Sequence, residues 1–438
     1  MKVEKRLLAR VEGTAELELI WKDGHIYDAK VRVASSRGIE RVLEGRPFMD
    51  ALAITPRVCG ICGHAHLMAC VKALEDAIGQ VKLSQKAKLV RDITLMIEMV
   101  QNHIKWFYLF VMPDFIRLGE KLEEFEPFRG KKWKSAISIA SEAVKIIAIF
   151  GGQWPHSSYA VPGGITSNFT NADLSKALSI LDKVTDFFLE ETVGMSMESF
   201  QSSKKFGYWE ELKGDVKLFA ELCAKYGLDK IGLSYGRFLT GGEVFPCISP
   251  GHFTGEKKLC SLNISKIKET DISPYSGAKV VRYNGLPYET GPLSRQFLSG
   301  NPFIKRLYKI YRDSYMVRVL SRLLEIWELI DATREKLLYL YALIKEPSYY
   351  TLHQKSERVT GEGIGIVEAA RGTLIHNVRI EKGTVIKYDI ITPSVWNLGP
   401  RCERYLGVAE RAMIGLKNPI HAEMVLRSFD ACSVCTTH

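Results

Sequence analysis

Arg57-Val58-Cys59-Gly60-Ile61-Cys62-Gly63-His64-Ala65-His66 lies near the start of the chain, and Asp430-Ala431-Cys432-Ser433-Val434-Cys435-Thr436-Thr437-His438 ends it. Each stretch carries a C-x-x-C pair, the spacing that lets two sulfurs from one turn reach a single ion. Most of the sequence separates the pairs, so only folding brings them together. A site closed by all four cysteines would make residues 1–438 one large domain. On spacing alone three occupants compete: a structural zinc in a tetrahedral sulfur cage, an iron–sulfur cluster, and a catalytic soft-metal centre ringed by acids, bases and donors.

The rest of the composition narrows the setting. With 438 residues, 46% hydrophobic and 25% charged, the chain can bury a sizeable core without disulfide staples. Nine cysteines, an odd number spread over a long chain, do not read as a secreted disulfide framework, and a reducing, cytoplasmic setting suits them better. The formal charge of +10 is mixed with acids throughout, as between Arg117 and Lys134, which points to a solvated surface and not to a nucleic-acid partner. No run reaches the roughly 18 apolar residues of a membrane span. Glu4, Lys5, Arg6 and Arg10 interrupt any signal-peptide core, so membrane association would come only through partner subunits.

Outward from the first thiol pair, the 3.6-residue apolar period predicts a helix over 66–78 and a long buried helix over 84–111. Further helices are predicted at 134–149, at 172–204 with Asn171 or Asp173 as its cap, over 303–345 as a pair or one bent helix, and at 402–416. Residues 38–56 start helical and turn loop-like through Pro47 and Pro56, and 153–164 read as a Gly/Pro loop. Alternation over 7–35 around Lys22-Asp23-Gly24-His25 predicts a hairpin, with Arg10-Val11-Glu12-Gly13 near the start of its first strand; strands return over 361–389 with a turn at Lys382-Gly383. The expectation is a mainly α protein with peripheral β (α+β), a long-helix bundle with small sheets near the termini.

The thiol stretches, read as Arg57-x-Cys59-Gly60-x-Cys62-x-x-x-His66 and Asp430-x-Cys432-x-x-Cys435-x-x-His438, resemble the paired signature of the nickel–iron hydrogenase large subunit. Arg10-Val11-Glu12-Gly13, Arg37-Gly38-Ile39-Glu40, Tyr288-Glu289-Thr290-Gly291-Pro292-Leu293-Ser294-Arg295, Glu368-Ala369-Ala370-Arg371-Gly372 and Pro393-Ser394-Val395-Trp396-Asn397 match in the same order. The resemblance implies a catalytic subunit that splits dihydrogen reversibly and heterolytically into protons and electrons. All four thiolates would hold nickel, Cys62 and Cys435 bridging to an iron that carries carbon monoxide and cyanide, with Cys59 and Cys432 terminal. Soft thiolates suit a nickel that changes oxidation state.

By the same resemblance Glu12 is a proton gate beside a terminal thiolate. Arg371 hangs over the open metal position, paired with Asp430. His66 donates to a bridging sulfur, and Pro393 and Ser394 line the cyanide pocket. Glu40, the carbonyl of Ile390 and His438 would hold a separate magnesium, or iron, ion. On residue type alone, Glu12 reads as a surface glutamate on an edge strand, Glu40 as a helix N-terminal charge, and Arg371 as a loop salt-bridge former. Two departures stand inside the motifs: Ala370 and Ala431 occupy positions where the family has proline. Asn102 precedes His103 where many relatives carry an acid, and Trp106 stands where some have a histidine. His64 has no assignment, and His156, in the Gly/Pro loop, reads as near the site or, by preference, as a turn cap.

The sequence has no C-x-x-C-x-x-C run for an electron relay, so electrons are expected to leave through an iron–sulfur small subunit, with further electron-transfer subunits open. Ending at His438 matches the clipped, mature form implied by the resemblance. The alternatives are a low-turnover dihydrogen sensor of the same family, a relative like the respiratory complex I subunit, which lacks the metal thiolates, and a zinc-stapled structural protein.

Overall fold

The computed structural model describes residues 1–33, 37–202, 213–242, 249–256, 259–270, 273–352 and 355–436. At the N-terminus β1 (Lys2–Leu7), β2 (Ala15–Lys22) and β3 (His25–Val33) form an antiparallel sheet in that order. β2 and β3 are the expected hairpin, with φ of 50° at Asp23 and 78° at Gly24, the turn twist that matches the strands. β1 extends the sheet in a way the alternation over 7–35 did not reveal, because its mixed charged residues lie on an exposed edge. Glu12 therefore sits on the β1–β2 connection and not near the start of a strand.

The helices follow the predicted apolar periods with shifted ends. α1 (Gly63–Ile78) starts ahead of His66, placing His64 in its first turn. α2 (Gln85–Lys105) is capped by the Ser84 hydroxyl and then passes into a wide π-type turn over Trp106–Val111. α3 (Lys131–Gly151) lies beside it. α4 (Asn171–Phe187) is capped by Thr170, not by Asn171 or Asp173; the Thr170 side chain accepts from the Asp173 N–H while Asp173 reaches back to the Thr170 N–H. The helix expected to run to 204 ends earlier, through a wide turn at Phe188–Val193 stopped by Gly194 at φ 72°. The 303–345 stretch is two helices, α5 (Pro302–Tyr311) and α6 (Tyr315–Leu340), the second capped by Ser314. α2, α3, α4 and α6 pack together as the helical core.

The C-terminal strands β4 (Gly361–Ala369), β5 (Gly372–Glu381) and β6 (Thr384–Ile391) are antiparallel, joined at Ala370-Arg371 and at the expected Lys382-Gly383. α1 lies directly on β4. Gly361, Gly363 and Gly365 face Ala77, Ala73 and Ala69, and a Cβ on Gly365 would come 1.9 Å from the Ala69 carbonyl oxygen. This contact of backbone on backbone fixes α1 against the turn that carries Arg371. α7 (Pro393–Leu398) follows β6. The helix expected over 402–416 shrinks to Val408–Met413, and α8 (Pro419–Ser428) then leads to the last thiol pair. The two ends of the chain meet here: the Ile26 N–H donates to Leu416 O and the Gly415 N–H to Ile26 O, both at 2.8 Å.

Candidate metal centre

The four cysteines converge. Cys59 follows the turn Thr55–Val58, and Cys62 stands at the N-cap of α1. Cys432 and Cys435 belong to the last loop, where Cys435 lies in the short turn Ser433–Thr436. The Sγ atoms are 3.9 Å apart for Cys59 and Cys432, 3.4 Å for Cys62 and Cys435, and 3.0 Å for Cys432 and Cys435. Four sulfurs about 2.3 Å from one ion stand on the order of 3.8 Å apart in a tetrahedron; Cys59, Cys62 and Cys435 lie within 4.8 Å of one another, close enough to share one cation, with Cys432 beside Cys59 and Cys435. All four are buried and none is in a disulfide. Hydrogen bonds from Cys432, Cys435 and Cys62 hold the Cys59 thiol well below its ordinary value, while the same cluster, Cys432 first, pushes Cys435 well above it. Packed sulfurs cannot all ionise by themselves; a bound cation removes that conflict.

The loops holding these sulfurs are stitched by backbone and by one arginine. Glu12 and Cys432 form a parallel bridge: the Ser433 N–H donates to Glu12 O at 2.8 Å, and the Ser433 hydroxyl donates to the same oxygen at 3.0 Å. Gly13 explains its own place in the motif, since a Cβ there would lie 2.2 Å from the Ser433 hydroxyl. Arg37 donates to Val58 O and, at 3.0 Å, to Val434 O, tying the first thiol loop to the last. The Thr392 hydroxyl donates to Cys435 O at 2.7 Å.

On one side of the sulfurs lies a small closed chamber lined by Cys62, Ala65, His66, Ala369, Arg371, Leu374, Pro393, Ser394 and Cys435. Four of the residues the motifs single out, His66, Arg371, Pro393 and Ser394, thus meet at one place. Arg371 reaches it from the β4–β5 turn. Its Nε donates to Asp430 O at 3.0 Å and lies 3.3 Å from Asp430 Oδ2. Arg371 Nη1 and Ser394 Oγ are buried there with no hydrogen-bond partner among the described residues. Buried donors without partners are rare and mark a place for a ligand. A closed zinc cage of four thiolates needs no such donors; a metal group with acceptor ends beyond the sulfurs does.

Glu12 is half-buried beside this group. Burial pushes its carboxyl up against the pull of the Arg371 guanidinium, and Cys59 and Asp430 add to the rise. Glu40 lies further out, in the first turn of the short helix Ile39–Leu43; its carboxylate accepts from the Ile390 N–H at 2.7 Å and pairs with Lys279 through both oxygens at 2.9 Å. The contact seen at Ile390 is thus through its N–H, and Lys279 is a charge partner that sequence reading did not assign. His438 lies outside the described residues.

Behind the chamber a set of buried charges was also missed. Arg322 donates to Asp430 Oδ2 at 2.9 Å and to Ala370 O at 3.3 Å, and stacks its guanidinium 4.5 Å over the Trp106 ring. Its Nη1 meets His103 Nδ1 at 3.1 Å, and His103 Nε2 meets Glu325 at 2.9 Å. Arg295 joins Glu325 to Glu368, each at 2.7 Å. The Ala370 turn, without the family's proline, is held by these arginines and by strand pairing. The signal for them was in the sequence: Arg318, Arg322 and Glu325 recur at helical spacing on an otherwise apolar face. His64 is buried, its ring 5.5 Å from that of Tyr159, and burial lowers it to about 3. His156, for which a turn cap is preferred over a place near the site, reaches Pro56 O at 3.0 Å beside the first thiol loop. Glu98 caps α1 by accepting from the His64 and Ala65 N–H groups at 2.9 Å.

Comparison with known proteins gives this arrangement its family. The family model described as nickel-dependent hydrogenase matches residues 37–129 and 252–438. The chain belongs to the nickel-dependent hydrogenase family. It is a large subunit of the nickel–iron type, an oxidoreductase; the family implies a nickel–iron centre, and the structure groups the sulfurs of Cys59, Cys62 and Cys435 within 4.8 Å of one another. It is 28% identical to the periplasmic [NiFeSe] hydrogenase large subunit of Desulfomicrobium baculatum, covering 98% of this chain and 93% of that one. It is 27% identical to sulfhydrogenase 1 subunit alpha of Pyrococcus furiosus, covering 98% and 96%. The fold matches the Ni-Fe-Se hydrogenase of D. vulgaris Hildenborough in its reduced state with a TM-score of 0.84, 25% identity and full coverage of both chains. No helix among the described residues is long and apolar enough to cross a membrane.

Proposed function

We propose that this hydrogenase subunit interconverts dihydrogen with two protons and two electrons at the thiol centre, and passes the electrons to an iron–sulfur small subunit. The observation that carries this reading is the pairing of four convergent sulfurs with a chamber whose buried donors, Arg371 Nη1 and Ser394 Oγ, lack partners. A nickel–iron group held by Cys59, Cys62, Cys432 and Cys435 supplies the redox change and the open coordination position that heterolytic cleavage requires. The chain's own residues do the rest. Glu12, half-buried next to Cys59, takes the proton on its carboxylate and hands it outward. Arg371, held by Asp430, keeps a permanent positive charge aimed into the chamber. Ala65, Ala369, Leu374 and Pro393 exclude water from it. The Ser394 hydroxyl would donate to acceptor ends of the group, and His66, which lines the chamber with Cys62 and Cys435, would donate toward their sulfurs.

The same reading takes residues 1–438 as one domain, because the site draws on both ends of the chain. Glu40, the Ile390 carbonyl and His438 would hold a magnesium or iron ion apart from the centre. Sulfhydrogenase and quinone-reactive enzymes stand among the relatives, so further electron-transfer subunits are part of the proposal, as is a reducing, cytoplasmic setting for the cysteines. Infrared spectroscopy of the purified protein, with nickel and iron analysis, tests it. Bands of metal-bound carbonyl and cyanide are expected. Zinc alone, with no such bands, overturns it.

A further inference from the structure

A second cavity shares no wall residue with the chamber. It is an open cleft of about 830 Å³, walled by the start of α2, the stretch 161–168 and the segment 344–349 that follows α6. Small-molecule sites span roughly 300–1,000 Å³. Its walls are pinned to each other by backbone: the Ile165 N–H donates to Ser348 O at 2.8 Å, and the Tyr350 N–H to Gly163 O at 3.0 Å. The cleft is therefore built into the fold and needs no rearrangement to open.

One wall residue is out of place. Lys86, in the first turn of α2, is 1% exposed, yet no carboxylate pairs with its ammonium among the described residues. Its Nζ donates to Ile344 O at 3.0 Å and lies 4.7 Å from the centre of the Phe169 ring. An ammonium carries three donors, and a lysine this deep is almost never left without an acid. Burial lowers it, against the pull of Glu346. Glu346 is the one acid in the wall, and its carboxylate accepts the Lys86 backbone N–H, at 3.2 Å. In the same wall Ser167 Oγ is buried with no hydrogen-bond partner among the described residues. Lys345 adds an exposed ammonium, so two lysines and one glutamate leave a single positive charge, at the positive end of a long helix. Pro162, Ile165, Pro347 and Tyr349 make the remaining surface largely apolar.

We infer that this cleft binds a small organic monoanion, its carboxylate on the Lys86 ammonium and the Ser167 hydroxyl and its apolar body along Pro162, Ile165 and Tyr349. One carboxylate matches the single uncompensated charge and supplies the acceptors that both donors lack. A doubly charged phosphate would overshoot that charge and face Glu346, and an inorganic ion would leave the apolar walls in water. The inference is independent of the thiol centre, and either stands if the other fails.

The test is fluorine NMR on the purified enzyme with its partner subunits, titrated with para-fluorobenzoate, with octanoate and inorganic phosphate as competitors. Saturable binding is expected at or below about 1 mM, displaced by octanoate and not by phosphate. Lys86→Met keeps the length of the side chain and removes its charge. It is expected to weaken binding about tenfold or more, the loss of a charge-assisted contact, without lowering the melting temperature. Thr166→Trp, at an exposed position of the wall, fills the cleft and is expected to abolish binding; it carries the test if Lys86→Met fails to fold. Absence of saturable binding to the assembled enzyme overturns the inference. So does unchanged affinity in either folded variant, or displacement by phosphate as effective as by octanoate.

Discussion

Two buried polar regions lie side by side in this protein and are built on opposite rules. In the lattice behind the chamber the charges are matched: Arg295 is shared between Glu325 and Glu368, and Arg318 holds Glu289 through both carboxylate oxygens at 2.8 Å. In the chamber itself Arg371 Nη1 and Ser394 Oγ face no partner, and four thiols crowd where one charge at most is comfortable. Both regions are buried. The difference marks the first as scaffold and, on the proposed reading, the second as the seat of a metal group. Removing one member of a matched buried pair leaves a bare charge and weakens the fold; removing a member of the unmatched set weakens what binds there.

Mutation separates the two. Cys435→Ser should lower nickel content to background by elemental analysis while the protein stays folded by circular dichroism; retained nickel would place the ion elsewhere. Glu12→Gln should leave nickel intact and lower isotope exchange between dihydrogen and solvent by roughly 10²–10⁴-fold, the range for a lost acid–base group; wild-type exchange would remove Glu12 from the proton path. In the lattice, Arg295→Met should act the other way round, lowering the unfolding free energy by about 3–5 kcal/mol in denaturant titration. The smallest effect is on pH. Despite burial, Arg295 and His103 hold the Glu325 carboxyl down at about 2 from its ordinary 4.5. A depressed carboxylate stabilises the folded state above its unfolded value and loses that contribution as pH falls through the folded one. Thermal stability should therefore decline between pH of about 4.5 and 2, and more shallowly in Arg295→Met. A decline as steep in the variant would exonerate this pair.

Much of the chamber was legible because its residues are chemically unusual: paired cysteines at metal spacing, and short motifs placed in a recognisable order. The apolar periods gave the helices for the same physical reason, since one face of each must be buried. What escaped depended on contacts between distant parts. β1 is charged and lies at an edge, so nothing in its own residues demanded pairing. The 172–204 helix stopped at Gly194, a left-handed residue that apolar periodicity does not see. Arg37 stands in a recognisable motif, yet its work is to join Val58 and Val434, which no local pattern connects. Tyr388 and His376 look like ordinary strand residues until the sheet lays them beside His66.

The bridge between Glu12 and Cys432 has a consequence for how the molecule is assembled. The two halves of the donor set lie some 370 positions apart in sequence, so a partly folded protein can offer a metal only one sulfur pair, and a weak grip. Holding the ion then amounts to closing a ring through the long stretch between the two thiol pairs, where the loss of conformational freedom is already borne by the folded core. Metal release should accordingly loosen both termini together, before the helices beneath them give way.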